Sequence, residues 1–155
     1  MDLLKVDVSS EIFENPDEWS VKYNYHYGRM SPFFRAMKED AKILGTKCPE
    51  CGRICCPPRI DCPTCFVKAD WVELPLEGTI DTFCVTHFPV AGVEIDVPYC
   101  LANVNIDGTE TTILQKVSDV DFDKIEIGMK VKARFKETRE GKITDFEFVP
   151  MDVAD

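Results

Sequence analysis

Two Cys-x-x-Cys pairs are the residues of this sequence best suited to chemistry. They are Cys48/Cys51 and Cys62/Cys65, separated by ten residues within the run CPECGRICCPPRIDCPTC. A Cys-x-x-Cys turn presents two sulfur atoms from one short loop, and Zn²⁺ accepts four thiolates at the corners of a tetrahedron. A proline follows the first cysteine of each pair, and Gly52 follows the first pair, as tight turns favour. The spacing predicts a structural zinc ribbon rather than a disulfide framework or a redox pair, because no thioredoxin-like βαβ pattern surrounds either pair.

Two further cysteines, Cys55 and Cys56, lie between the pairs. Either could replace a ligand, but neither belongs to a Cys-x-x-Cys turn of its own. The Pro57-Pro58-Arg59 run that follows them favours extended backbone and keeps helix out of the loop. We therefore expect Cys55 and Cys56 to be buried, neutral thiols.

A catalytic set is not recognisable in the sequence. The two histidines, His26 and His87, stand outside catalytic motifs, and there is no G-x-S-x-G, HExxH or glycine-rich phosphate loop. Cys84 lies three residues before His87 on a predicted strand, so the two side chains should face opposite sides. Cys84 and Cys100 are expected to be core thiols. A metal held by four cysteines also lacks an open position, and we expect no catalysis by this chain alone.

Charge is distributed unevenly along the chain. The sequence has 28 acidic and 18 basic residues, a formal net charge of −10. Residues 48–70 carry 3 of each sign, whereas residues 71–155 carry 17 acidic and 8 basic residues. A nucleic-acid-binding surface should be basic, because neutralising phosphates supplies most of the non-specific affinity. The C-terminal half therefore argues against nucleic acid as a partner.

The N-terminal residues do not resemble a targeting segment. Charges occur throughout the first 19 residues, so a secretory signal is not expected. No apolar run approaches the roughly 18 residues of a membrane span, so we expect no membrane association. Eight cysteines without such a signal point to the reducing cytoplasm, where cysteine clusters bind metal.

Residues 22–27 alternate polar and aromatic side chains, with tyrosines at Tyr23, Tyr25 and Tyr27. Tyrosine is favoured in protein interfaces, so one interpretation is an extended arm that docks on a partner. The other is an arm that packs its tyrosines on its own domain. The sequence leaves both open.

A helix is predicted to start at Ser31-Pro32, since serine is a good N-cap and proline is tolerated in the first turn. Apolar residues at helical spacing follow at Phe34, Met37, Ala41 and Leu44. Gly45 would then end the helix in the left-handed conformation. We expect this stripe to pack in the core, with a partner-facing surface that includes Phe33 and Phe34 as the alternative.

Five strand patterns follow the ribbon. They cover residues 78–88, 99–106, 111–116, 129–136 and 142–149. The pattern at 129–136 alternates strictly, and Asp107-Gly108 is a hairpin signal. Five short strands in about 70 residues predict an OB-fold barrel. The expected class is mainly β with an N-terminal helical segment, arranged as arm and helix (1–45), zinc ribbon (46–70) and OB-fold domain (71–155).

The segment between Phe88 and Tyr99 reads PVAGVEIDVP, an apolar run punctuated by proline and glycine. Such a loop at a barrel rim is a candidate for ligand or partner contact, through Phe88, Val90 and Val93. The alternative is a hairpin excursion that covers the barrel mouth.

These features together resemble a known family. A Phe-rich helix runs into Cys-x-x-Cys-Gly, then PPR, then Cys-Pro-x-Cys, then Gly-x-Ile, with Pro98-Tyr99 and Ile127-Gly128-Met129-x-Val131 opening later strands. The chain is similar, over residues 31–150, to the rubredoxin-like zinc-ribbon plus OB-fold proteins that accompany acyl-CoA enzymes. That resemblance implies a small non-catalytic subunit that docks on a thiolase-like large subunit and helps form the acyl-CoA channel.

The resemblance implies a CoA thioester as a ligand shared by the complex, but CoA is polyanionic and the barrel is acidic. Phosphate contacts would therefore come from local bases such as Arg53, Arg59 or Lys68. Two alternatives remain. One is a single-stranded nucleic-acid binder using the ridge Lys130/Lys132/Arg134/Lys136, which is more simply a solvated strand face. The other is an accessory module of an acyl-CoA hydratase.

Overall fold

The computed structural model describes residues 16, 17, 19–89 and 95–151. A 3₁₀ turn at Gly28–Met30 leads into helix α1 at Ser31–Asp40. The strands follow in order as β1 (Leu44–Lys47), β2 (Ile54–Cys55), β3 (Asp70–Glu73), β4 (Glu77–Thr86), β5 (Tyr99–Ile106), β6 (Thr112–Val117), β7 (Lys130–Phe135) and β8 (Phe146–Pro150). A second 3₁₀ turn, Ile143–Asp145, lies directly before β8. Among these residues no helix is long and apolar enough to cross a membrane.

Helix α1 starts where the sequence predicts but ends earlier. The predicted N-cap Ser31 is wrong by one residue, because Met30 is the N-cap and Ser31 and Pro32 lie in the first helical turn. The predicted end at Gly45 is wrong, because Ala41 adopts the left-handed conformation (φ 53°) and closes the helix. Gly45 lies instead in β1, where a Cβ atom would come within 2.9 Å of the Cys55 carbonyl oxygen and the Leu74 side chain. Close strand packing, and not a helix cap, requires glycine there.

The buried face of α1 is rotated relative to the predicted stripe. Phe33, Ala36 and Met37 are its buried residues, and Phe34 is only partly buried. Both sets have helical spacing, because two phenylalanines are adjacent and either can lead an apolar stripe. The core expectation is confirmed for the helix as a whole, with Phe33 in the place assigned to Phe34.

The ribbon contains a small antiparallel sheet in the order β2-β1-β3. Thr46, in the central strand, pairs with Cys55 on one side and Trp71 on the other. The Thr46 hydroxyl also donates to the Arg59 carbonyl oxygen and accepts from the Arg59 N–H, both at 2.8 Å. These bonds fix the extended proline-rich loop against the sheet that carries the first cysteine pair.

The remaining strands close a barrel in the order β4-β5-β6-β8-β7, so the predicted five-stranded barrel is confirmed. Strand β5 has the predicted bounds. The last strand is shorter than predicted, because residues 143–145 form the second 3₁₀ turn. Strands β6 and β8 are joined by a single parallel pair, Val117↔Phe148, which makes this the weakest seam of the barrel.

Side-chain hydrogen bonds support that seam. The buried Gln115 amide donates from Nε2 to the Ile143 carbonyl oxygen at 2.7 Å. The buried Asp145 carboxylate accepts from the backbone N–H groups of Gly141 (2.6 Å) and Lys142 (3.1 Å). The turn between β7 and β8 is thereby held against β6.

One hydrophobic core joins the helix, the ribbon and the barrel. Its fully buried large side chains include Phe33, Met37, Ile43, Ile80, Val104, Ile106, Val131, Phe146 and Phe148. Cys100 is part of this core, as predicted, but Cys84 is exposed on the outer side of β4. The prediction of a core thiol is therefore wrong for Cys84.

The ribbon is also attached to the barrel by polar contacts at the β5–β6 turn. The Thr111 hydroxyl donates to the Cys56 carbonyl oxygen and accepts from the Cys56 N–H, both at 2.8 Å. The Glu110 N–H donates to the Ile54 carbonyl oxygen at 2.9 Å. The cysteine pairs therefore have a fixed position relative to the barrel.

Candidate metal centre and flanking surfaces

The four predicted ligands come together in space. The Sγ atoms of Cys48, Cys51, Cys62 and Cys65 all lie within 4.8 Å of one another. The Cys51 and Cys62 sulfurs are 3.7 Å apart, close to the edge of about 3.8 Å expected for a tetrahedron with Zn–S bonds of about 2.3 Å. Among the residues that the structure describes, this is the group of metal-ligating side chains close enough to share an ion. The four cysteines are positioned to bind a metal.

The two cysteine turns have the same hydrogen-bond pattern. In the first, the Cys48 N–H donates to the Arg53 carbonyl oxygen at 2.9 Å and the Gly52 N–H to the Cys48 carbonyl oxygen at 3.0 Å. In the second turn, the Cys62 N–H donates to the Val67 carbonyl oxygen at 2.8 Å, and the Phe66 N–H donates to the Cys62 carbonyl oxygen at 2.9 Å. The first sulfur of each turn also accepts a backbone N–H, from Cys51 and Cys65 respectively, both at 3.5 Å. The centre is thus built from two equivalent turns, each of which fixes the position of its first sulfur by a backbone hydrogen bond.

The sulfurs of the centre differ in acidity. Hydrogen bonds from the backbone N–H groups of Cys65 and Thr64 lower the pKa of Cys62 to about 6. Thiol–thiol hydrogen bonding, chiefly with Cys51, raises the pKa of Cys65 to about 12. Because the thiolate is the form that binds metal, an ion entering the centre must displace protons from the less acidic thiols. Metal affinity should therefore fall at low pH.

Cys55 and Cys56 are buried behind the centre, as predicted. Burial raises the pKa of Cys56 to about 12 and also raises that of Cys55. Both are therefore protonated, apolar contacts at neutral pH. Neither belongs to the four-sulfur group.

The three tyrosines of the arm form a ladder against α1. Tyr27 stacks on Phe34 with ring centroids 3.6 Å apart, Tyr25 meets Tyr27 edge-on at 5.4 Å, and Tyr23 follows at 6.2 Å. Tyr27 is partly buried, whereas Tyr23 and Tyr25 are 75 % and 65 % exposed. The arm therefore packs on its own domain through one tyrosine and presents the other two to solvent.

Two predicted contact residues of α1 have different positions. Phe33 is 1 % exposed and lies in the core, so it cannot contribute to a surface, and its assignment as a contact residue is corrected. Phe34 lies at the surface under the tyrosine ladder and remains a candidate. An open cleft of about 240 Å³ lies beside it, lined by Tyr27, Phe34, Arg35, Lys38 and Glu140.

Arg53 is held in a network that the sequence did not reveal. Its Nε donates to Glu110 Oε2 and its Nη1 to Thr64 Oγ1, both at 2.9 Å. These bonds connect the first cysteine turn to the second and to the β5–β6 turn. Glu110 and Thr111 are positioning residues that sequence reasoning missed, because their partners lie more than 50 residues away.

Arg59 is exposed on the loop after the two prolines. Lys68 lines an open cleft of about 270 Å³ together with Arg29, Ile60 and Trp71. Arg29 is paired with Asp61 at 3.3 Å across that surface. Of the local bases proposed to contact phosphates, Arg53 is occupied by an acidic partner, while Arg59 and Lys68 face solvent.

Of the three predicted contact residues in the segment after β4, one lies within the described residues and two lie outside them. Phe88 follows β4 and is 76 % exposed. Val90 and Val93 lie outside the described residues, so their predicted contact role stays a prediction.

Three of the four bases of the ridge, those within β7, pair with acidic neighbours. Lys130 pairs with Asp107 at 3.0 Å, Lys132 pairs with Glu77 at 3.8 Å, and Arg134 contacts both Asp119 and Glu147. These contacts are what a solvated strand face would make, and they neutralise most of the cationic track that a nucleic-acid-binding barrel requires.

Family comparisons agree with this architecture. A model described as ChsH2, rubredoxin-like zinc ribbon domain, matches residues 35–70, and one described as ChsH2, C-terminal OB-fold domain, matches residues 71–136. A DUF35 domain-containing scaffold protein of Methanothermobacter thermautotrophicus is 33 % identical over 110 residues, covering 69 % of this chain and 81 % of that protein. One from Methanocaldococcus jannaschii is 29 % identical over 126 residues, covering 77 % and 89 %.

Solved structures give the same result. The chain is similar to one from the Ltp2-ChsH2(DUF35) aldolase, with a TM-score of 0.64 and 25 % identity, covering 82 % of this chain and 98 % of that one. A DUF35-family protein of unknown function from Sulfolobus solfataricus gives a TM-score of 0.61 at 25 % identity, covering 79 % and 86 %. This chain therefore belongs to the DUF35 family and carries, in order, a ChsH2-type rubredoxin-like zinc ribbon and a C-terminal OB-fold domain.

Proposed function

We propose that this chain is a non-catalytic, zinc-binding subunit that scaffolds a thiolase-type acyl-CoA enzyme in the cytoplasm. The observation that carries the proposal is the closed four-cysteine centre. Four protein ligands fill a tetrahedral shell, so the ion has no open position for substrate and serves to hold the ribbon in shape. What the chain then offers to a reaction is surface and not reacting groups.

Zinc is the ion that this donor set favours. Four sulfurs at tetrahedral spacing suit Zn²⁺, and the matching family domain is described as a zinc ribbon. The ion's binding energy would add directly to the folding energy of a small ribbon whose own sheet has only short strands.

The partner is inferred from the relatives. Two of them bear the name scaffold protein, and a third is part of an aldolase named as a complex of Ltp2 with a DUF35 chain. The thiolase type of the large subunit rests on the resemblance of the helix, ribbon and barrel motifs. Tyr23 and Tyr25 supply an exposed aromatic surface of the kind that protein interfaces favour, and the partly buried Phe34 supports it from below through the Tyr27 ring.

A CoA thioester would be a shared ligand of the complex. Arg59 and Lys68 are solvent-facing bases of a ribbon that carries balanced charge, whereas the barrel is strongly acidic. Phosphates of CoA should therefore approach the ribbon side, and the apolar segment that begins at Phe88 should approach the acyl end.

The test is reconstitution. The tagged chain is purified from its own cells, the co-purifying enzyme subunit is identified and produced separately, and C–C cleavage of acyl-CoA is measured with each subunit and with the pair. We expect the enzyme subunit to need this chain for activity or stability. An enzyme subunit fully active and stable alone would overturn the proposal, as would recovery of nucleic acid without an acyl-CoA enzyme. Hydration of an enoyl-CoA by the pair would identify the hydratase alternative.

A further inference from the structure

We propose that Phe66, at the tip of the second cysteine turn, is the anchor by which the ribbon docks into an apolar pocket of the enzyme subunit. This inference rests on the proposed function and names one of its contacts. The two cysteine turns are otherwise equivalent and differ at this residue.

The two turns require the same backbone conformation after their second cysteine. Gly52 occupies that position in the first turn with φ 74°, and Phe66 occupies it in the second with φ 58°. Their N–H groups make equivalent hydrogen bonds to the Cys48 and Cys62 carbonyl oxygens. Glycine adopts this left-handed conformation without strain, whereas a bulky side chain is an outlier there. The second turn thus keeps an aromatic residue where the backbone favours glycine.

Packing within the described chain does not account for the ring. The Phe66 side chain is 85 % exposed, so its burial contributes little to folding. Phe66 is therefore unfavourable for the isolated subunit both in backbone conformation and in exposed apolar area. A contact that forms only in the complex would account for both.

The tip is also rigidly supported. Cys65, the preceding residue, belongs to the metal centre, and the Arg53 guanidinium joins Thr64 Oγ1 to the Glu110 carboxylate. A ring held on such a support loses little conformational entropy when it is buried by a partner, which is the property of an interface anchor.

The charges of the ribbon and of the whole chain indicate what kind of partner Phe66 contacts. The immediate neighbours Pro63, Thr64 and Val67 are uncharged, and residues 48–70 carry 3 acidic and 3 basic residues. The whole chain has a net charge of −10, which disfavours a second copy, a nucleic acid or an anionic membrane as the partner. An uncharged apolar pocket on a protein subunit fits this tip.

The test compares Phe66→Gly with Phe66→Tyr, which keeps the ring, and with Ile127→Ala, which trims another exposed apolar side chain. Each full-length variant is titrated against the separately purified enzyme subunit by calorimetry, after its metal content and Tm are measured. We expect Phe66→Gly to keep its metal, to keep or raise its Tm, and to bind at least tenfold more weakly. Phe66→Tyr should bind within about threefold of wild type, and Ile127→Ala should be unchanged.

The outcomes separate this inference from the proposed function. If wild type binds and Phe66→Gly binds equally well, the anchor is refuted and the scaffold role stands. If wild type does not bind an acyl-CoA enzyme subunit, both fail. A lower Tm or lost metal in Phe66→Gly would show that the ring serves this chain's own fold, and a wild-type dimer abolished by Phe66→Gly would make a second copy the occupant; either result overturns the proposal.

Discussion

Tyr27 stacks face to face on Phe34, with ring centroids 3.6 Å apart and an interplanar angle of 16°. Its hydroxyl also donates to the Gly141 carbonyl oxygen at 3.0 Å, between β7 and β8. One side chain therefore ties the N-terminal arm to both the helix and the barrel. Tyr25 is in turn supported by Tyr27, through an edge-on ring contact and a 3.3 Å hydroxyl–hydroxyl hydrogen bond.

Replacing Tyr27 should release the arm without unfolding the barrel. We expect Tyr27→Ala to make cleavage by chymotrypsin after Tyr23 and Tyr25 much faster, because the ladder loses its base. Tyr27→Phe keeps the stacked ring and loses the hydrogen bond to the Gly141 carbonyl oxygen. It should lower the stability of the arm's attachment by about 0.5–1.5 kcal/mol and accelerate cleavage less than Tyr27→Ala does. Limited proteolysis followed by mass spectrometry measures the difference. Equal cleavage of wild type and Tyr27→Ala would contradict this role of the tyrosine ladder.

Removing one ligand of the metal centre should affect metal content and folding together. We expect Cys48→Ser to lose the bound ion and to lower the free energy of unfolding by on the order of 3 kcal/mol or more, since metal-binding energy is folding energy in small ribbons. Cys84→Ser is the matched control, because Cys84 is an exposed cysteine outside the four-sulfur group. Elemental analysis and thermal unfolding are the measurements. A Cys48→Ser protein with normal stability and lost activity would indicate a catalytic ion instead.

Asp145 should make stability depend on pH in the acidic range. Burial by itself raises the pKa of Asp145, but hydrogen bonds from the backbone of the 140–142 turn outweigh it and leave this pKa below its ordinary value of 3.8. A carboxyl whose pKa is lower in the folded state binds its proton more readily when unfolded. The contribution of ionised Asp145 to the stability of the fold is therefore complete above the pKa that this carboxyl has in the unfolded chain. It is lost as the pH falls through the lower pKa of the folded state.

The control for this effect is Asp145→Asn, which keeps the shape and removes the charge. We expect the variant to be less stable than wild type at pH 7, by about 1–3 kcal/mol, because the Gly141 and Lys142 N–H groups lose a charged acceptor. The difference should begin to shrink below about pH 4, where the Asp145 carboxylate of the unfolded wild-type chain takes up a proton, and should be lost as the pH falls through the lower folded pKa. Urea unfolding of both proteins at a series of pH values measures this difference. A stability difference that does not change with pH would show that the ionised Asp145 carboxylate is not its source.

Local patterns account for what the sequence predicted correctly. The four cysteines that are positioned to bind a metal lie in two short turns whose geometry is contained in Cys-x-x-Cys itself, and β5 ends at a turn whose Asp-Gly signal is explicit. The errors come from tertiary contacts. Ala41 ends the helix in the left-handed conformation, which alanine rarely adopts, so its residue type does not predict this. Phe33, and not Phe34, is the phenylalanine buried in the core.

The remaining parts of the site could not be predicted for a related reason. The Arg53–Glu110 pair joins residues 57 positions apart, so no local sequence pattern predicts it. Phe66 follows a second Cys-x-x-Cys and its difference from Gly52 is visible in the sequence. Its exposure, however, depends on how the ribbon is placed against the barrel, and only the folded chain shows that.

Gln115 closes the seam at which the barrel has least backbone pairing. Its Nε2 donates to the Ile143 carbonyl oxygen at 2.7 Å, and its Oε1 accepts from the Lys116 N–H at 2.9 Å. One amide therefore bonds a backbone N–H group of β6 and a carbonyl oxygen of the 3₁₀ turn that precedes β8. We expect Gln115→Leu to leave both part-buried backbone groups without these partners and to lower the free energy of unfolding by about 1 kcal/mol, although leucine is the more apolar residue.

Gln115→Glu separates the two bonds, because it keeps an acceptor for the Lys116 N–H and loses the donor to Ile143. At pH 7 it also places a charge in a buried position, so it should be at least as destabilised as Gln115→Leu, and it should recover when the carboxyl is protonated and can donate again. Urea unfolding at pH 7 and pH 4 measures both variants. A Gln115→Leu protein as stable as wild type would mean that the barrel closes through β6 and β8 backbone contacts alone.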